Sequence, residues 1–303
     1  MLQVFFALFP VFAVIALGHG LRRIPFLSEE GWAAFDRVNY YVFFPALIIH
    51  AIATTDFQAA LVFRMGTVLV GAVLIITAAL LAVRPLLSMS PRSFSSLYQC
   101  SIRWNGLVAL AAAFTLLGPE GVSLVAIGVA VAVPTVNILS VIVLTHAADS
   151  AKGLRQLLRL LITNPLIIGC VIGVTLNTTG IGLPGPTSDL MLILGRGALA
   201  LGLISVGAGL DLTLTRSAGW TVASGTAIKL IAMPAIMLGL AHLVGLEGDA
   251  IAAIVLIAAV PTASSGYVLA RQLGGDAPLM ASFVTATSLG ALVTMPLWLA
   301  FAG

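Results

Sequence analysis

Residues 249–270 read DAIAAIVLIAAVPTASSGYVLA, an apolar run of membrane-crossing length with Pro261 and a cluster of small hydroxylated residues in its middle. At about 1.5 Å of rise per residue Pro261 falls about 18 Å along the run, near the centre of a bilayer whose hydrocarbon is about 30 Å thick. A proline there has no N–H to donate and its ring crowds the preceding turn, so nearby carbonyls are released for water, ions or a ligand. Thr262, Ser264 and Ser265 carry hydroxyls that suit the same opening. A kink packed against neighbours is the plainer reading of one such proline. A second stretch decides between them. Residues 94–116, FSSLYQCSIRWNGLVALAAAFTL, place Asn105-Gly106 about 17 Å along another apolar run, 156 residues before Pro261. Glycine costs about 1 kcal/mol against alanine inside a helix, and asparagine competes for backbone bonds, so this pair also predicts an interruption. Two interruptions at equal depth predict a pair of discontinuous membrane helices.

The rest of the chain fits that frame. Of 303 residues, 60% are hydrophobic and 8% charged, whereas a soluble domain carries about a quarter charged residues. Cutting at polar and Gly/Pro-rich breaks predicts an all-α polytopic membrane protein with ten spans. They fall near 2–21, 32–53, 61–83, 94–116, 121–146, 157–178, 189–210, 218–244, 249–270 and 278–301. With the N-terminus outside, the inner loops collect Arg22, Arg23, Arg84, Arg92, Lys152, Arg155, Arg159, Arg216 and Arg271, and the outer side holds Arg64. The positive-inside rule then puts both termini outside. Arg22-Arg23 follows the first apolar run rather than preceding it, which predicts a retained helix and not a cleaved signal peptide. The basic residues are scattered, which argues against nucleic acid despite a pI near 9.2. Cys100 and Cys170 lie in apolar segments without CxxC spacing, and His19, His50, His146 and His242 lack paired ligand spacing, so neither metal nor cofactor is expected.

The most polar connection, over 147–156, falls near the midpoint and divides the chain into repeats at 1–150 and 151–303. Pro10 and Gly18 lie 155 residues before Pro165 and Gly173, and Arg37 lies 159 before Arg196. Five spans per half is an odd number, so the halves enter the membrane from opposite sides, an inverted repeat of the kind that recurs in secondary transporters.

Charge inside the spans points to the cargo. Asp36, Arg37, Arg103, Arg196 and Lys229 fall within them, and each costs about 2.5–3.5 kcal/mol at mid-membrane on insertion scales. Arg37 and Arg196 sit near helix starts and can reach the interface. Arg103 and Lys229 lie about 13–17 Å deep. Deep cations without matching acids suit a cavity whose ligand supplies the negative charge. Arginine forms bidentate pairs with carboxylates, so Arg103 is the candidate for recognition and Lys229 for field or coupling. Asp36, the acid within a span, is a candidate coupling-ion site or the partner of an interfacial ion pair with Arg37. Asn137 and Asn164 are candidate cavity amides, with bridging between helices as the structural alternative. Asn105, Gly106, Pro261, Thr262, Ser264 and Ser265 complete the candidate substrate-binding set.

These strings resemble the auxin efflux carrier family, whose bacterial members include malonate and other dicarboxylate carriers. The resemblance rests on 8–23, on Asp36-Arg37-Val38-Asn39-Tyr40-Tyr41-Val42-Phe43-Phe44-Pro45-Ala46-Leu47, on 195–210, on Lys229 with Pro234, and on 259–276. It implies ten helices in two inverted five-helix repeats, with helices 4 and 9 crossing at their breaks beside the substrate. It also implies a transport unit of helices 3–5 and 8–10 moving against helices 1, 2, 6 and 7 in an elevator-type cycle. The family usually has a proline shortly after the asparagine, where this chain has Leu107-Val108-Ala109-Leu110-Ala111; that departure predicts a shallower break in helix 4. The expected function is a secondary transporter of small organic anions in a bacterial inner membrane: malonate- or malate-like mono- or dicarboxylates, or auxin-like aromatic carboxylates. Its expected partners are that anion and the bilayer, with a homodimer left open. The alternatives are an anion channel and a sodium-coupled symporter of the bile-acid type. A hydrolase is disfavoured because the segment at Ser264-Ser265 lacks the GxSxG spacing of a nucleophile elbow.

Overall fold

The computed structural model describes residues 2–25, 27–55, 58–147, 159, 162–211 and 219–302. The central connection over 148–156, with Lys152 and Arg155, and the stretch with Arg216 lie outside the described residues. Those described form helices and connections without a strand. We number the helices α1 (Leu2–Arg23), α2 (Glu29–Val38), α3 (Phe44–Ala53), α4 (Ala59–Val83), α5 (Pro91–Ile102), α6 (Gly106–Ala147) and α7 (Pro165–Thr178). They continue as α8 (Gly185–Ala208), α9 (Gly219–Ala227), α10 (Met233–Leu243), α11 (Asp249–Ala259), α12 (Ser265–Leu273) and α13 (Ala277–Ala302).

Local chemistry explains several boundaries. Ser28 caps α2 by accepting from the Gly31 N–H, and Glu29 and Glu30 sit in its first turn against the positive helix end. α2 runs into α3 through a π turn, Asn39–Phe43, and α9 runs into α10 through another, Ile228–Ala232. Both turns end two residues before a proline, Pro45 and Pro234. Each proline lacks the N–H that its i−4 carbonyl needs, and the preceding turn widens so that Phe44 N–H reaches Asn39 O and Met233 N–H reaches Ile228 O. The 42 residues of α6 would run about 63 Å as one rod, twice the hydrocarbon thickness. Gly118, at φ +66°, divides it, and a Cβ on Gly106 would lie 3.6 Å from Val129, so the two arms fold back on each other.

Six stretches are long and apolar enough to cross a membrane singly, among them Val4–Arg23, Ala59–Leu86 and Ala277–Ala302, and Pro165–Thr178 and Asp249–Ala259 are shorter apolar helices. Large apolar side chains face outward, Phe63 at 77% and Trp220 at 84% exposure, a surface suited to lipid. The chain is a multi-pass helical membrane protein.

Two groups of helices are visible in the packing. In one, α1 lies on α8, and α3 lies on both α7 and α8. The crossings use glycine: a Cβ on Gly207 would stand 1.8 Å from the Ile15 carbonyl oxygen, and one on Gly18 would stand 2.1 Å from that of Ile204. Small residues let membrane helices approach this closely. Gly169 and Gly173 do the same for α7 against Pro45 and Ile52. The other group gathers α4, α5, α6 and α9 to α13 around α11, whose residues from Ala253 to Ala259 are fully buried. A helix apolar on every face belongs at such a centre.

Candidate functional site

Both expected interruptions are open, and they meet. α5 ends at Ile102, Arg103 adopts extended backbone at φ −83° and ψ 152°, and α6 starts at Gly106. α11 ends at Ala259, Val260 is extended at φ −65° and ψ 155°, and α12 starts at Ser265. The last helical bonds of the two segments are equivalent, Arg103 N–H to Gln99 O at 3.0 Å and Val260 N–H to Leu256 O at 3.2 Å. Between the breaks the Asn105 N–H donates to the Pro261 carbonyl at 2.8 Å.

The break in α5–α6 is therefore full rather than shallow, despite the missing proline. Asn105 supplies the reason: its Oδ1 accepts from the N–H groups of Leu107 and Val108, both at 3.2 Å, and starts a new helix as an N-cap. Its amide oxygen is thus committed to backbone.

Arg103 is 6% exposed. One terminal nitrogen donates to Ser265 Oγ at 3.2 Å and the other to Asn137 Oδ1 at 2.8 Å, while Nε has no partner. The guanidinium thus ties the break of α5–α6 to the start of α12 and to the second arm of α6. No carboxylate pairs with it among the described residues, where the ion pair present is Arg22–Glu29 at the surface. An unpaired buried cation is costly, and it favours an anion that arrives from outside.

A cavity of about 670 Å³ surrounds this guanidinium. Arg103, Asn105, Gly106, Asn137, Asn164, Ser264, Ser265 and Asp36 all line it. Asn164 accepts from the N–H groups of Leu166 and Ile167 and is the N-cap of α7, so its oxygen, like that of Asn105, serves backbone first. Asp36 accepts from the Ser205 hydroxyl across to α8 and forms no ion pair with Arg37 among the described residues. Arg37 lines the same cavity, and its side chain and that of Asp36 are exposed.

Three candidates stand off the cavity. Pro261 contributes its carbonyl to Asn105, and Thr262 donates its N–H to Thr287 Oγ1 at 3.2 Å with its own hydroxyl unpartnered and buried. Lys229 is fully buried in the π turn before α10, and its Nζ donates to the Ala258 carbonyl at 2.7 Å. Conversely, the cavity contains residues outside the candidate set: Asn39, buried with Oδ1 unpartnered, and the rings of Tyr40, Tyr41, Phe44, Trp104 and Tyr267. Asn39, Tyr40 and Tyr41 belong to the other π turn, and the run Asn-Tyr-Tyr six residues before Pro45 was the signal for them.

A second cavity, of about 820 Å³, lies at the opposite end of α3 and α8. His50, Arg196, Glu120, Glu247 and Asp249 line it, and it shares no lining residue with the first. Arg37 and Arg196, which the sequence pairs as repeat marks, thus line opposite cavities. Asn177, which heads a glycosylation-like Asn-Thr-Thr triplet, donates instead to the carbonyls of Ile52 and Thr55 and fastens α7 to the end of α3.

Comparisons with known proteins point to membrane transport. Residues 3–299 match the family described as "Membrane transport protein". A protein of Methanothermobacter thermautotrophicus named "Uncharacterized transporter" is 25% identical over 296 residues, covering 95% of each chain.

Proposed function

The chain belongs to this membrane transport protein family, that of the auxin efflux carriers, and from that premise we propose that it is a secondary carrier of small organic anions working by alternating access. The observation that carries the proposal is Arg103, a buried guanidinium with no carboxylate partner among the described residues, lining a cavity where two broken helices meet. The N-termini of α6 and α12 begin at that cavity, and their dipoles favour an anion there. One deep guanidinium suits one carboxylate, and the aromatic walls suit a flat or apolar body. Arg37, an exposed residue lining the same cavity, is the cation that a second carboxylate of a malonate- or malate-like cargo would meet.

Inverted halves at 1–150 and 151–303 are part of the proposal. Its support is that α1 on α8 and α7 on α3 are the same pair under exchange of halves, and that the C-caps Arg103 and Val260 have matching backbone. Helices α1 to α3, α7 and α8 would be the scaffold in a ten-span protein of the inner membrane with its termini outside. Two cavities without a shared wall favour a carrier over an open channel.

Binding at Arg103 is the test. Trp104 lines the same cavity, so its fluorescence should respond saturably to a bound carboxylate. Arg103→Gln, in protein that elutes and melts as wild type, should abolish the response. Unchanged affinity in that variant would remove Arg103 as the anion ligand.

A further inference from the structure

Lys229 is the deep cation that the anion cavity leaves unused. Its side chain is 0% exposed, it does not line either cavity, and among the described residues it has no carboxylate partner. Its Nζ has one acceptor, the Ala258 carbonyl at 2.7 Å.

That carbonyl is an orphan of the break. In an uninterrupted helix Ile257 O would accept from residue 261 and Ala258 O from residue 262. Pro261 has no N–H, and the Thr262 N–H is turned away to Thr287 Oγ1. Ala258 O therefore ends α11 without a helical donor, at the negative end of the helix dipole and inside the protein. Where transporters break helices in this way, the freed carbonyls and half-helix C-termini are the usual ligands of a coupling Na⁺. Here the acceptor is taken by an ammonium carried on the chain itself.

The carrier of that ammonium is built for it. Pro234 widens the turn over Ile228–Ala232, and the Leu230 carbonyl in that turn is satisfied by Trp298 Nε1 at 2.8 Å. The π turn packs against both α11 and α13. Lys229 is thus held in one place by a turn whose own loose carbonyl has been met by an indole.

We propose that Lys229 is a resident cation: its ammonium occupies the position at the crossing that an exchangeable Na⁺ would otherwise take, so transport needs no sodium there. Removing the side chain opens a site for a small monovalent cation. The inference rests on the crossing being the transport site, but its main readout does not depend on the cargo.

The experiment uses the full chain, purified, with melting temperature followed in NaCl, ethylammonium chloride and N-methylglucamine chloride at equal ionic strength. Wild type should melt alike in all three. Lys229→Ala should melt lower in N-methylglucamine and recover saturably with ethylammonium, and in part with Na⁺. Lys229→Met, which fills the space without charge, should melt low and respond to neither. Overturning results are a sodium-dependent melting temperature in wild type, or a Lys229→Ala protein that ignores both small cations. Should Lys229→Ala not fold, the wild-type arm still decides, together with Lys229→Arg, which keeps a cation and should remain sodium-insensitive. Loss of anion binding with this salt pattern intact would sink the proposed cargo and leave Lys229 standing. The reverse result would sink Lys229 alone.

Discussion

Asn105 shows how one side chain opens a membrane helix without a proline. Its backbone N–H crosses to Pro261 and its amide oxygen starts the next helix on Leu107 and Val108. Removing an N-cap costs about 1 kcal/mol, with a range of about 0.5–2. Asn105→Ala should therefore lower the melting temperature, while Asn105→Asp, which keeps the acceptor, should stay near wild type; equal melting of all three would mean that the cap contributes nothing. The sequence made Asn105 stand out as half of a poor helix-interior pair, and Arg103 because a guanidinium is expensive at that depth. It did not reveal their partners. Lys229 is the sharper case: its depth was legible, but Ala258 becomes its acceptor only once the break at Pro261 turns the Thr262 N–H to Thr287, which brings three separate helices together. Asn39 and the ring of Tyr40 were passed over for the same reason, since which face of a helix borders a cavity is decided by neighbours.

At the scale of elements, proline and glycine divide the labour. Pro45 and Pro234 widen turns, and Gly118 bends the long α6 into two arms. Gly18 and Gly207 let α1 and α8 touch backbone to backbone. Gly207→Ala would press a methyl group into the Ile15 carbonyl at 1.8 Å, so the helices must separate. Overpacking of this kind costs about 1–3 kcal/mol. Its melting temperature should fall, whereas Gly20→Ala, where nothing lies within 4 Å, should not lower it; a Gly207→Ala protein as stable as wild type would show that this crossing is loose. Gly18 and Gly173 were legible as repeat punctuation and prove to be contact points. Gly207 was hidden in the run GRGALALGLISVGAG over 195–209, where small residues are too frequent for one to stand out. The sixth span, expected as one helix over 157–178, is interrupted at Asn164, which caps a helix that begins at Pro165; 157 and 158 lie outside the described residues.

For the whole molecule, apolar runs and loop charge suffice to see a polytopic helical protein, because hydrocarbon leaves little choice of backbone structure. The grouping of helices is not carried by any one run, since α1 finds α8, and α3 finds α7, between helices more than 100 residues apart in sequence. What the grouping produces is two cavities with no lining residue in common, at opposite ends of α3 and α8, with Arg103 lining one of them. Alternating access makes a definite demand on such an object: each cargo molecule must be carried through a change of shape. The most direct measurement is counterflow in proteoliposomes, with a labelled carboxylate outside and the unlabelled anion loaded within. The account predicts uptake that saturates with concentration and is accelerated by the internal anion. Linear, non-saturating flux carried as high unitary current, with no acceleration from the far side, would contradict it.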